Sequence, residues 1–194
     1  MKKILIINGH PNVNSYCHSL VKAYATGATK AGHQVVILNL IELKFDLNFN
    51  GSYTNLIGQS LEADLVFAQE KIKWAEHLVI VHPVWWGSVP ALLKGFLDRV
   101  LLPGFAFKYR KDSPLWDKLL KGKTANIIYT SDTPNFIYKW FYRAPALTML
   151  GDRTLGFCGI KTVKINAIAP IRKSNKSFRE NWLTKIEIQG SKGI

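Results

Sequence analysis

Cysteine is nearly missing from this chain: its 194 residues include two, Cys17 and Cys158, and no CxxC pair. That excludes a disulfide framework, and the five histidines fall at no spacing that a metal site would require. Long apolar runs are missing too. The run at Ile4–Ile7 is too short for a signal-peptide core or a membrane span, so it reads as a first strand and the chain as cytoplasmic. Acidic residues are scarce, 13 against 26 Lys and Arg, for a formal net charge of +13. The imbalance is local: residues 1–98 carry 8 basic and 7 acidic side chains, and residues 99–194 carry 18 and 6. A solvated basic face, an anionic membrane surface, nucleic acid or a phosphorylated small ligand would each suit such a surface. No zinc-finger, RNP or basic-helix signature accompanies the charge, so nucleic acid is not expected, while peripheral membrane contact stays open. Neither GxGxxG nor GxxxxGK[ST] occurs, which excludes the dinucleotide fingerprint and the P-loop. No repeat, low-complexity tract or linker divides the chain, and a single domain over 1–194 is expected.

What is present is alternation. Short β-branched runs at Lys3–Ile7, Gln34–Leu38, His77–Val81, Ala125–Tyr129 and Thr162–Ile165 predict strands. Several are apolar at successive positions, as in a parallel sheet covered on both faces. Between them the spacing predicts helices over Ser15–Ala31, Leu61–Ala75, Ser88–Val100, Ala144–Gly156 and Lys176–Ile188. Ser15 and Ser88 are read as N-caps, Gly32 as a stop, and Pro90 as a first-turn proline. The segment Asn39–Gly58 is weakly patterned and is read as loop. Five strand–helix alternations predict an α/β three-layer sandwich, a five-stranded parallel sheet with helices on both faces.

Open α/β sheets bind ligands at the carboxyl ends of their strands, and three turns there have unusual content. Asn8–Ser15 leaves the first strand with His10 and delivers Ser15 to a helix start, a seat for a phosphate ester. A capped helix after a polar turn explains it equally well. His82–Pro90 (HPVWWGSVP) sets Trp85 and Trp86 beside Gly87, where broad rings can wall a flat heterocycle. Thr130–Asn135 (TSDTPN) is rich in hydroxyls and is followed by Phe136, Tyr138, Trp140, Phe141 and Tyr142. So many rings exceed what one buried face can use, so some should line a pocket or a subunit contact.

His10 with Ser15, HPVWWGSVPALLKGFLDRVLLPGFAF at 82–107, and LGFCGIK at 155–161 together resemble the NAD(P)H:quinone oxidoreductase (DT-diaphorase-like) family, as a bacterial member. The resemblance implies a flavodoxin-like fold that holds FMN, or alternatively FAD, with NADPH or NADH as co-substrate. A quinone, or an azo or nitro compound, would be the acceptor in a ping-pong hydride transfer through flavin N5. It implies that His10, Ser15 and Tyr16 hold phosphate and ribityl groups. Pro83, Val84, Trp85, Trp86 and Gly87 would form the wall beside the isoalloxazine, and Thr130, Ser131 and Asp132 would lie near its pyrimidine edge. Tyr138, Tyr142 and Arg143 are the candidates on the substrate side, by stacking or by holding an anion. The family's third loop carries paired glycines, and Asp132 stands here where donors are wanted. A homodimer is implied, with the aromatics at 136–142 and the loop Pro103–Phe107 as interface. Two other classes stay open: a regulatory subunit of a membrane transport system, and a flavin-free binding module. Cys17, Cys158, His33, His77 and His82 are read as structural.

Overall fold

The computed structural model describes residues 1–48 and 60–194. Five strands form one parallel sheet: β1 (Lys3–Asn8), β2 (Gln34–Asn39), β3 (His77–Pro83), β6 (Thr124–Thr130) and β7 (Lys161–Ile168), in the order β2-β1-β3-β6-β7. The register sets Ile6 between Ile37 and Val79, and Pro83 beside Thr130. A small antiparallel hairpin, β4 (Phe107–Tyr109) with β5 (Trp116–Lys118), stands apart from the sheet. The helices are α1 (Tyr16–Lys30), α2 (Ala63–Trp74), α3 (Ala91–Val100), α4 (Pro145–Leu147), α5 (Gly156–Cys158) and α6 (Lys176–Lys192). A single-turn π segment at Ile137–Phe141 precedes α4, and a second at Thr148–Leu155 joins α4 to α5.

Alternation along β1 divides the core. Leu5 and Ile7 face a cluster with Leu65 of α2, Leu93 and Phe96 of α3, and Ala146 and Leu150 beyond β6. Ile4 and Ile6 face the other cluster, with Leu20 and Tyr24 of α1 and Ile186 of α6. Both faces of the central strands β1 and β3 are covered, and this is why Ile4–Ile7 and Leu78–Val81 are apolar at every position rather than every second one. Helices α1 and α6 touch backbone to backbone. A β-carbon on Gly27 would run into the Glu187 carbonyl, and one on Gly190 into the Tyr24 carbonyl.

The sequence expectations and the structure differ at several element ends. Ser15 caps α1 as expected, its hydroxyl accepting from His18 N at 3.3 Å, and Gly32 follows at φ 81°. Ser88 caps nothing: its backbone is tied to Trp85 in a tight turn, so α3 starts after Pro90 instead. The expected Ala144–Gly156 helix begins at Pro145, runs to Cys158 and is π-wound in its middle. Helix α6 passes Ile188 and ends at Gly193, which takes the left-handed φ of 61°. The β4–β5 hairpin was not foreseen. Of the expected loop, Asn39 ends β2 and Leu40–Glu42 form a 3-10 turn, while 49–58 lie outside the described residues. Phe105 and Ala106, expected at a subunit contact, are buried in the core. Cys17 and Cys158 are buried free thiols, and burial pushes both up to about 11.

Arg99, nearly buried on α3, ties separate chain segments together. Its guanidinium donates to Asp46 O at 2.6 Å and to Glu62 Oε2 at 2.7 Å. The pairing and backbone hydrogen bonds hold Glu62 below the usual carboxylate range, against the opposing effect of desolvation.

Candidate active site

The carboxyl ends of β1, β3 and β6 lie side by side, and a cleft of about 690 Å³ opens over them. Pro83, Val84, Trp85, Trp86 and Gly87 line it from β3, and Thr130, Ser131 and Asp132 from β6. His10, Tyr138 and Tyr142 join them. Eleven of the fourteen residues singled out from sequence therefore meet at one cleft; Ser15, Tyr16 and Arg143 do not line it. Thr133, Pro145 and Ile171 line it as well, and sequence reasoning missed them. Nothing in the run around Ile171 signals a pocket. It arrives because Ile171 N donates to Ser131 O at 3.0 Å and Arg172 N to Asp132 Oδ1 at 2.7 Å.

The double tryptophan forms a two-residue hairpin turn. Trp85 and Ser88 exchange both backbone hydrogen bonds at 2.9 Å, and Trp86 and Gly87 take positive φ of 50° and 76°. Positive φ at both central positions is the type I′ pattern, which suits glycine and penalises a β-carbon. Trp86 is nonetheless fully exposed, at 104% of its reference area. A tryptophan held in a disfavoured backbone with nothing covering it is poor material for a core and suits a contact surface. Trp85 meets the edge of the His10 ring, with centroids 5.5 Å apart at 74°.

His10 Nδ1 accepts from Asn12 N at 3.0 Å, so in the neutral ring the proton sits on Nε2, which is left as a donor. Burial pulls the His10 pKa below its ordinary value, which keeps that neutral form. The turn continues through Asn14, whose N–H donates to Asn12 Oδ1 at 2.8 Å, into the head of α1. There Ser15 and Tyr16 sit at a helix N-terminus, where free N–H groups favour an anion. Tyr16 donates its hydroxyl to Arg179 O at 2.7 Å, which brings the Arg179 cation near the same end.

Asp132 is the residue that departs from donor chemistry in the third loop. Its carboxylate is answered by Arg172, whose Nε lies at 3.3 Å, and by the Arg172 backbone N–H. Both side chains are more than half exposed, so the ion pair itself contributes little, and the backbone bond does the positioning. The Ser131 hydroxyl folds the loop on itself, accepting from Thr133 N at 3.0 Å and donating to Thr133 O at 3.2 Å. Beneath it, Thr130 Oγ1 touches Cys17 Sγ at 3.4 Å.

The expected substrate-side residues are placed differently from one another. Tyr142 is half exposed on the lining, where it can stack. The Tyr138 phenol is not free to hold an anion, because its O–H donates to Gly87 O at 3.1 Å and its oxygen accepts from Ala146 N at 3.0 Å. Arg143 and Ala144 both take left-handed backbone, φ 56° and 45°, in the link between Tyr142 and Pro145, which both line the cleft.

A planar tricyclic ring with a phosphate tail fits these residues. The cleft offers an apolar wall, and the Trp86, Gly87 and Asp132 amides make no hydrogen bond among the described residues. The head of α1 adjoins it through the turn that carries His10. Among the described residues no helix is long and apolar enough to cross a membrane.

Residues 2–186 match the family model described as flavodoxin-like fold. The ribosyldihydronicotinamide dehydrogenase (quinone) of Mus musculus is 30% identical over 191 residues, spanning 84% of this chain and 79% of that protein. Among solved structures, Smu.1420 from Streptococcus mutans UA159 superposes with a TM-score of 0.84 at 31% identity, covering 97% of this chain and 98% of its own. An FMN-dependent NADH-azoreductase from Bacillus anthracis, solved in complex with FMN, gives a TM-score of 0.75 at 20% identity over 99% of each chain, a likeness of fold.

Proposed function

The chain belongs to the flavodoxin-like-fold family of quinone-reducing dehydrogenases, and from that premise we propose that it is a flavin-dependent NAD(P)H dehydrogenase acting on quinones or similar flat acceptors. The observation that carries this reading is the cleft walled by the Trp85–Ser88 turn, a slot for a large planar group at the rim where such sheets bind ligands. When bound, the flavin supplies hydride exchange at N5 and two-electron transfer between nicotinamide and acceptor.

The chain's own residues bind, orient and shield. His10 Nε2–H and the amides at the head of α1 hold the phosphate, with Ser15 and Tyr16 beside them and Arg179 adding positive charge. The free Trp86 and Gly87 amides would support one edge of the ring, and Pro83 to Trp85 would keep water off it. In the third loop, the free Asp132 amide N–H is the group that would donate to the ring's polar edge. Tyr142 stacks on the acceptor, and Arg143 stands at the rim. No side-chain nucleophile is required.

FMN is the favoured cofactor, with FAD as the alternative, and NADPH is favoured over NADH because the basic half of the chain attracts the extra phosphate. A homodimer is the favoured assembly. Trp140 and Phe141, 86% and 84% exposed, are the faces a second copy would cover.

The test begins with purified protein soaked in FMN or FAD, desalted and scanned in the visible. Bound flavin gives bands in the blue and near ultraviolet, and chromatography after denaturation identifies the nucleotide. Steady-state oxidation of NADPH with menadione then checks the activity. Protein that stays colourless with both flavins would overturn the reading in favour of a flavin-free module. Coloured protein without turnover that co-purifies with a membrane transporter would favour the regulatory class.

A further inference from the structure

The described chain holds four non-glycine residues in left-handed backbone; of these, Trp86 lines the cleft, and Arg143 and Ala144 lie between Tyr142 and Pro145, which line it. Such residues persist only where surrounding structure holds them. The two segments that hold these three residues meet at Tyr138. Tyr138 is 1% exposed and packs at 5.7 Å from the Tyr129 ring. Its O–H donates to Gly87 O at 3.1 Å, next to Trp86. Its phenol oxygen accepts from Ala146 N at 3.0 Å, and its backbone carbonyl accepts from Ala144 N at 2.9 Å, just past Arg143. Its own N–H donates to Pro134 O at 3.0 Å, which anchors it to the third loop.

We propose that Tyr138 is a positioning residue that staples the Trp85–Ser88 turn to the start of α4, and so fixes the width of the cleft. It acts through backbone, with its proton and one lone pair already committed, rather than as a proton donor to the acceptor. Gly87 O and Ala146 N come from segments far apart in sequence, and the phenol oxygen bridges them. Among the described residues no other hydrogen bond links the turn to the start of α4. The role in catalysis rests on the function proposed above; the staple itself does not.

The first experiment needs no cofactor. Backbone amide exchange of Tyr138→Phe should run roughly tenfold faster than wild type at Ser88 and Ala146, with β1 and β3 amides unchanged. Unchanged exchange at Ser88 and Ala146 overturns the staple whatever the chain's function. If Tyr138→Phe does not fold, wild-type exchange decides: Ser88 and Ala146 should open with one common protection factor, and independent opening overturns the proposal.

With flavin bound, Tyr138→Phe should raise the acceptor KM and the flavin Kd by roughly tenfold. Its kcat should stay within about threefold of wild type, and the pH–rate profile should keep its shape. A large loss of kcat at unchanged KM, or a profile that loses a limb, would make Tyr138 an acid and overturn the positioning role. A cycle with Trp86→Gly adds a readout that a merely structural tyrosine would not move. Glycine accepts the left-handed turn without strain, so in the Trp86→Gly background Tyr138→Phe should change flavin Kd by less than about twofold. Full additivity of the two substitutions overturns the link between phenol and turn.

Discussion

Substituting Gly190→Ala tests how closely α1 and α6 are fitted. The new β-carbon would enter the space of the Tyr24 carbonyl and meet Ala28 N at 3.0 Å. The obstacle is helix backbone, which cannot rotate aside as a side-chain tip can, so the two helices must part. Forced overpacking costs about 1–3 kcal/mol, and this site belongs at the upper end. Alanine recovers up to about 1 kcal/mol of helix preference over glycine, which leaves about 2 kcal/mol of net destabilisation. For a chain of this size that corresponds to a fall in Tm of roughly 4–8 °C. Gly151→Ala serves as the control, because its β-carbon would meet Thr162 Oγ1 at an ordinary 3.6 Å, and it should be neutral or slightly stabilising. Helix α1 also carries Ser15 and Tyr16 at its head, so Gly190→Ala should weaken flavin binding more than Gly151→Ala does. Thermal melts and flavin titrations on the three proteins suffice. A Gly190→Ala variant melting at or above wild type would show slack between the helices and refute the reasoning.

Burial holds His77 and His82 neutral, each with a pKa near 4. An unfolded chain protonates them near 6.5, so their stabilising share is complete above that pH and is lost as pH falls from 6.5 to 4, by up to roughly 3 kcal/mol each. Urea melts of His82→Phe should show a shallower acid limb than wild type; parallel limbs would rule out that source. Arg99→Met should cost about 1–2 kcal/mol in urea denaturation by leaving the partly exposed Glu62 carboxylate and the Asp46 carbonyl without their cation, and Arg99→Lys should not fully restore it, since an ammonium lacks the guanidinium fork that bonds both. Turnover with NADPH should exceed that with NADH at low salt and converge as salt rises; equal rates at every ionic strength would dismiss the basic half as a co-substrate lure.

The sheet was legible because its signal is local. Ile4 to Ile7 and Leu78 to Val81 are apolar at every step, and only a strand covered on both faces has that pattern. The tryptophan turn was legible by position, since two indoles after such a strand have no buried face to fill. Its conformation was not, because Trp86 is an improbable residue for a left-handed turn and Ser88 looks like an N-cap. The hairpin at 107–118 escaped for a related reason: its strands are three residues each and carry mixed polar content, too short for a period to register. Ile171 reaches the cleft through a long-range hydrogen bond to Ser131, which no window of sequence contains. Tyr138, singled out from the sequence, lines the cleft. What its hydroxyl does depends on Gly87 and Ala146, and these are visible only in three dimensions.

The cleft draws its lining from His10 near one end of the chain to Ile171 near the other, with β3 and β6 between. Whatever occupies it acts as a reversible cross-link on the topology, since a denatured chain cannot gather those segments. Its free energy of association is then added to the native state alone, about 2.7 kcal/mol when present at a hundred times its dissociation constant. Melting temperature becomes a titration curve, and candidate nucleotides can be ranked by heating the protein with each one, before any substrate is known.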